Sequence, residues 1–363
     1  MVVAMRVTCS IVRRNDRLRW RRVVGANARV AQSMDTLKRT RCVTAAVMCA
    51  VVLYGGVRAN SVEAQPFPSK ALRYVVTGSP GSGADTLGRL IAESLSQSLG
   101  RQVVVENRTG GGSNLAAEIV AHAAPDGYTV LQNTITQAVN VSLYRNLNYD
   151  LQRDFTAITQ LATGPAVLVV HPSLPVKSVA ELVKLARARP GELNYGSGGT
   201  GTYSFLAMEL FKGQAVINML HIPYKGGGAA LNAILAGETQ VYFAPVGVAL
   251  SNIQERRMRA LAVSTARRVS LTPDLPTLAE AGVVGYESGN WYGMVVPAKT
   301  PPAVVSVLRA AALSVLNNAT TVKRMQDFGY VPVGNTADEF SAYIKLEIER
   351  LGKIVRAFKL QPD

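Results

Sequence analysis

Cysteine is absent from residue 65 onward. All three, Cys9, Cys42 and Cys49, fall within the first 64 positions. The main body of the chain therefore has no disulfide, no thiolate nucleophile and no cysteine-held zinc. Histidine is nearly as scarce: His122, His171 and His221 are far apart, without acidic neighbours or His-x3-His spacing. His122 reads as an ordinary helix residue and His221 as a structural residue at a strand end. Charged residues make up only 17% and aromatics 6% of the chain. No basic run is interleaved with aromatics, so a nucleic-acid partner is not expected. There is no repeat at fixed spacing and no low-complexity tether.

The net charge of +15 is unevenly placed: residues 1–64 hold 12 Lys/Arg against 3 Asp/Glu, leaving 27 against 21 for the rest. In that first stretch, residues 42–57 are apolar, and Lys38, Arg39 and Arg41 precede them. Val62-Glu63-Ala64 then offers small or β-branched residues where a signal peptidase reads. This pattern predicts an export signal over 34–64, cut after Ala64, and hence a periplasmic protein. A membrane anchor would need about 20 apolar residues, and Gly55-Gly56 and Arg58 interrupt this run. The arginine-crowded residues 1–33 read as an unstructured upstream extension, with translation starting at Met34. A nucleic-acid-binding arm is the other reading.

What is present is glycine, in a turn that recurs where a strand hands over to a helix. The copies are Gly78-Ser79-Pro80-Gly81-Ser82-Gly83-Ala84-Asp85, Gly110-Gly111-Gly112-Ser113, Gly196-Ser197-Gly198-Gly199-Thr200-Gly201-Thr202 and Lys225-Gly226-Gly227-Gly228. Apolar runs at 72–76, 103–105, 128–131, 166–170, 193–195, 217–221, 241–243, 260–264 and 291–296 predict strands. Helical spacing follows many of them, as in Leu87, Leu90, Ile91, Leu95 and Leu99. Ser178 with Glu181 forms a capping box, Pro301-Pro302 opens a helix, and 337–358 is a long C-terminal helix. The alternation predicts an α/β protein with mostly parallel sheets flanked by helices. The length, 363 residues, suits two domains. These are expected at 66–168 plus 290–363 and at 169–289.

A helix start offers unpaired N–H groups and a partial positive charge, so several converging starts would hold an anion without any catalytic group. Competing chemistries fare worse. A phosphate loop needs a lysine that the Gly78 turn lacks. Gly196-Ser197-Gly198-Gly199-Thr200-Gly201 matches Gly-x-Gly-x-x-Gly, but 214–224 contains no acid for a ribose, so a dinucleotide-dependent enzyme is the weaker alternative. Neither Ser82 nor Ser197 sits in Gly-x-Ser-x-Gly. No cofactor and no metal are expected. Asp85 either simply caps a helix start or also braces the turn at a ligand. Thr134 and Thr136 follow a strand end, where they either donate to a ligand or are solvated.

At these turns the chain resembles the Bug receptors, the extracytoplasmic solute-binding proteins of tripartite tricarboxylate transporters. The likeness runs over nearly all of residues 66–363. It is carried by VVTGSPGSGADTLGRLIAE, VVVENRTGGGSNLAAEIVAHAAPDGYTVL, LNYGSGGTGTYSFLAMELF, HIPYKGGGAALNAILAGETQVYF, LPTLAEAG and GYESGNWYG. The resemblance implies a two-domain clamp of the periplasmic-binding-protein type that closes on a small carboxylate. Delivery to membrane permease subunits would follow, from a receptor that is a monomer and not an enzyme; a sensor for a signalling system is the alternative. Carried over by position, the ligand contacts are Ser79, Gly81, Ser82, Gly83 and Asp85 on one domain. On the other they are Ser197, Gly198, Gly199, Thr200, Lys225, Gly226 and Ala244. Two departures stand out. The family often has a histidine near Tyr203-Ser204, and commonly an aspartate after Phe243, where this chain has Ala244-Pro245. Without that aspartate a ligand ammonium has no partner, so a plain mono- or dicarboxylate is expected over an amino acid.

Overall fold

Short β-branched runs form strands here, and most are followed by a helix that starts on a hydroxyl residue, a glycine or a proline. The computed structural model describes residues 67–362; the signal peptide, its cut after Ala64 and the readings of 1–33 lie outside them. In chain order the first elements are β1 Leu72–Val76, α1 Gly83–Leu99, β2 Val103–Asn107, α2 Asn114–Ala121, β3 Thr129–Thr134, α3 Ile135–Leu143 and β4 Phe155–Gly164. Next come β5 Ala166–Val170, α4 Val179–Ala188, β6 Asn194–Ser197, α5 Tyr203–Ala215, β7 Leu220–Pro223, α6 Gly227–Leu235, β8 Val241–Pro245, α7 Val246–Gln254 and β9 Arg259–Val263. The chain ends with β10 Asn290–Pro297, α8 Pro302–Asn317, α9 Ala319–Asp327, β11 Val331–Pro332 and α10 Ala337–Ala357.

Two sheets result. One is six-stranded, in the order β11-β4-β10-β3-β1-β2; the other is five-stranded, β7-β6-β8-β5-β9. We call the parts built on them the first and second lobes. The chain crosses from one to the other at Pro165, between β4 and β5, and returns after β9 into β10. Each sheet is mixed rather than mostly parallel. β1 pairs with β2 and β3, and β6 with β7 and β8, all parallel. The remaining pairings, through β10, β11 and β5, are antiparallel. The physical reason is connectivity. Strands reached through a crossover helix return parallel, whereas the long strands that carry the chain between lobes do not.

Burial explains which elements the sequence revealed. β5 is buried at every position, as expected of a strand covered on both faces. In α3, seven of nine residues are buried, so no polar stripe marks it and the sequence reading found no helix there. The strand β4 and the helices α7 and α9 were likewise unread. At the lobe junction Trp291 is 1% exposed. Its Nε1 donates to Glu347 Oε2 at 3.0 Å, and Arg350 donates to the same carboxylate at 2.6 and 3.0 Å. That paired, hydrogen-bonded acid fixes α10 against β10. Farther along, Phe358 reaches Gly213 of α5, so the C-terminal segment touches both lobes.

Candidate functional site

Between the lobes lies a cavity of ≈ 80 Å³, bordered by the carboxyl ends of β1, β3, β6 and β8 and by the start of β10. This is where an open α/β sheet places a ligand. Six of the described helices begin at it. Its lining includes Ser82 and Gly83 (α1), Ser113 (α2), Thr134 and Thr136 (α3), Thr202, Tyr203 and Ser204 (α5), Gly226 and Gly227 (α6), and Pro245 (α7). Leu231, Phe243 and Val248 add an apolar wall. No lysine, arginine, histidine, aspartate or glutamate is among the lining residues. Burial pushes the hydroxyls of Tyr203, Tyr242 and Tyr292 up, so they stay neutral. The cavity thus offers positive potential from helix ends and no titrating group. Among the described residues no cluster of His, Cys, Asp and Glu could hold a metal ion.

The two lobes present their helix starts differently. In the first lobe the starts of α1 and α3 are braced, while α2 begins after Ser113 without a side-chain cap. Ser82 Oγ accepts from Asp85 N–H at 3.3 Å, and Gly81 N–H donates to Asp85 Oδ2 at 2.9 Å. Asp85 Oδ1 accepts from Asn107 Nδ2 at 2.9 Å and pairs with Arg89 at 3.0 Å. Asn107 Nδ2 also donates to Gly78 O at 2.8 Å, tying the turn to β2. Burial pushes the Asp85 carboxyl up. The bonds from Arg89, Gly81 and Asn107 outweigh that and hold it below its ordinary value, so it is charged. Gly81 has φ +76°, a left-handed conformation that favours glycine. Thr134 caps α3, and Gln137 completes a capping box.

In the second lobe no N-cap side chain caps α5, α6 or α7; the α6 amide of Gly228 is met by Ser79 Oγ from the first lobe. The glycine turns that precede the first two are bonded to each other instead. Gly226 N–H donates to Gly198 O at 3.1 Å, Gly198 N–H to Ser204 Oγ at 3.1 Å and Gly199 N–H to Ser197 Oγ at 3.0 Å. Ser197 Oγ is also 2.6 Å from His221 Nε2, and that ring stacks on Tyr195 at 4.9 Å between centroids. His221 therefore buttresses the turn from behind, the structural role its position suggested.

Of the expected contacts, the structure brings Gly81, Ser82, Gly83, Thr134, Thr136, Gly198 and Gly226 to the cavity. Ser79, Asp85, Ser197, Gly199, Thr200, Lys225 and Ala244 are not among its lining residues. Asp85 and Ser197 act one step behind, as braces. Ser79 Oγ accepts from Gly228 N–H across the cleft at 3.2 Å, and Tyr144 donates to Thr200 O at 3.4 Å. Both residues therefore bridge the lobes. Lys225 is exposed. Ala244 is buried in β8 while its neighbours Phe243 and Pro245 line the cavity. The case against an ammonium therefore rests on the uncharged lining as a whole, not on position 244. Asn290, Tyr292 and Tyr242 went unread because strand-end aromatics and amides carry no local signature. Thr202 was legible in principle as the residue opening a helix after a glycine turn.

A two-lobed α/β clamp with an uncharged interlobe cavity ringed by helix starts defines a solute-binding receptor. The family described as "Tripartite tricarboxylate transporter family receptor" matches residues 87–360, and the chain belongs to it. That family comprises periplasmic solute-binding receptors rather than enzymes. The protein BugT of Bordetella pertussis is 32% identical over 302 residues, 82% of this chain and 92% of BugT. A solved R. palustris protein with adipate is 34% identical and superposes with a TM-score of 0.79, covering 82% of this chain and all of its own. MatC from Rhodopseudomonas palustris, solved with bound malate, is 29% identical with a TM-score of 0.76, covering 80% of this chain and all of MatC. The Bug resemblance and the receptor function are thereby established.

Proposed function

We propose that this receptor captures a small carboxylate in the interlobe cavity by closure of the two lobes and passes it to the membrane subunits of a tripartite transporter. The observation that carries this reading is the convergence of six helix starts on a cavity without a charged side chain. Such ends favour an anion. Relatives bound to adipate and malate support the same class. The carboxylate contacts are the hydroxyls of Ser82 and Thr136 and the first-turn amides of Gly83, Tyr203, Ser204 and Gly227. Micromolar affinity requires about −8 kcal/mol, which a few charge-assisted hydrogen bonds at about 1.5–3 kcal/mol each supply.

Ligand shifts the lobes toward the closed arrangement because only there do both sets of amides reach it. The moving bodies are the two lobes, with 166–168 of β5 moving with 169–289 rather than with the first lobe, since β5 pairs with β8 and β9. Native mass spectrometry of the purified protein, followed by calorimetric titration with short mono- and dicarboxylates, tests the proposal. Micromolar binding of one of them is expected; binding only of neutral or cationic solutes would overturn it. The mature protein starts after Ala64 and is a monomer, which N-terminal sequencing of the periplasmic fraction and light scattering check.

A further inference from the structure

The helix α6 starts on three glycines, and its N-cap, Gly226, has no side chain to bond the first turn. An N-cap serine or threonine ordinarily accepts from the N–H two or three residues on. Here the N–H two residues on, that of Gly228, is served from the other lobe and donates to Ser79 Oγ at 3.2 Å. Ser79 is 8% exposed, is not among the residues lining the cavity and stands outside the Asp85 brace. The glycines admit this contact. A Cβ on Gly226 would lie 2.4 Å from Ser79 Oγ and 2.5 Å from Ser79 Cβ, and one on Gly228 would lie 2.4 Å from the carbonyl oxygen of Pro80. Gly226 has φ +100°, which favours glycine in any case. Gly228 lies inside α6, where alanine is ordinarily the more stable choice. The close approach of the first lobe explains why no side chain stands there.

We propose that Ser79 is a positioning residue: its hydroxyl caps α6 from across the cleft and so sets how long a bound carboxylate is held, without touching it. The inference rests on the closure reading above and goes beyond it. Separating the lobes takes this acceptor away from the Gly228 N–H, so the bond favours only the joined arrangement. It therefore slows opening, and ligand release follows opening. Capture by the separated lobes does not involve it. The same bond holds the start of α6 against the first lobe where the cavity is lined. A Cβ on Gly227 would lie 3.5 Å from Ser82 Cβ, and Gly227 and Ser82 both border the cavity.

Ser79→Ala and Gly228→Ala test it, with malate, succinate and adipate as probes in calorimetric titration and stopped-flow tryptophan fluorescence. Ser79→Ala is expected to weaken every acid that binds by one common factor, about fivefold. Faster dissociation carries that loss, and the association rate stays at its wild-type value. Gly228→Ala is expected to weaken binding at least as much while the melting temperature stays level, because alanine suits the helix and clashes only against the joined lobe. Circular dichroism checks the fold of both variants. Wild-type dissociation in Ser79→Ala overturns the inference. So does a loss that falls on association, or one that changes from acid to acid, since either makes Ser79 a direct ligand contact. Full affinity in a folded Gly228→Ala overturns it as well. If none of the three acids binds the wild type, the carboxylate reading fails and takes this inference with it; binding with unaltered release from Ser79→Ala defeats the cap alone.

Discussion

The two lobes meet at one cavity with opposite solutions to the same problem. A helix start leaves its first N–H groups without partners. The first lobe closes much of that deficit internally, through Ser82, the Asp85 carboxylate and the Thr134–Gln137 capping box. The second lobe joins its two glycine turns to each other and gives α5, α6 and α7 no side-chain caps of its own, only Ser79 of the first lobe reaching the α6 start. The first lobe is therefore a pre-formed platform, and the second holds more unmet hydrogen-bonding capacity for a ligand. Substitutions in the second lobe's turns should act chiefly on affinity, and those at the first lobe's brace chiefly on stability.

The sharpest break is at Gly198. A Cβ there would lie 2.9 Å from Gly227 N and 3.2 Å from the Gly226 carbonyl carbon, so the joined turns must separate. Gly198→Ala is expected to weaken carboxylate binding about 100-fold, near 2.8 kcal/mol, in calorimetric titration, with circular dichroism unchanged. Gly83→Ala probes the seam between lobes. Its Cβ would meet Pro245 Cγ at 3.0 Å, Pro245 Cβ at 3.1 Å and the Tyr292 hydroxyl at 3.2 Å. Holding the lobes apart should reduce affinity about tenfold and raise the radius of gyration of the liganded protein in solution scattering.

Asp85→Ala inverts the pattern. It removes the acceptor of the Gly81, Asn107 and Arg89 bonds and should lower unfolding free energy by about 1–3 kcal/mol in urea titration. Its effect on affinity should be smaller than that of Gly198→Ala; the reverse order would refute the comparison. The pH dependence has a definite sign. Because the folded Asp85 carboxyl is held below its ordinary 3.8, its contribution is fully present above that pH and is lost as pH falls through the lower folded value. Glu106, first raised by burial and then lowered further by Arg73 and Arg108, has the same sign. Wild-type stability should thus decline more steeply than that of Asp85→Ala below pH 3.8. The smallest effect is expected far from the cleft. Ser178 Oγ accepts from Glu181 N–H at 3.2 Å to cap α4, so Ser178→Ala should cost about 1 kcal/mol and leave ligand affinity unchanged.

Local chemistry made much of this legible beforehand. Glycine turns between an apolar run and an amphipathic one mark strand-to-helix junctions, because only glycine enters left-handed backbone freely. That is why the turns at Gly81 and Gly226, with φ of +76° and +100°, could be read as site features. Helices with one apolar stripe, α1 and α10, were equally plain. The helix α3, buried at seven of its nine positions, was not, since no exposed polar face contrasts there with an apolar one.

By itself the sequence determined the alternation of strand and helix, the glycine-opened junctions and the lack of any cysteine or paired histidine chemistry. Those features depend on residues close in the chain. Tertiary structure alone decided which amides remain open and which side chains meet the ligand. The amides of Gly81, Gly198, Gly199 and Gly226 are engaged within the protein, whereas Asn290 and Tyr292 reach the cavity from a strand that follows the first glycine turn by some two hundred residues. Hydrogen bonds compete over distances in space, and no local spacing records which partner wins.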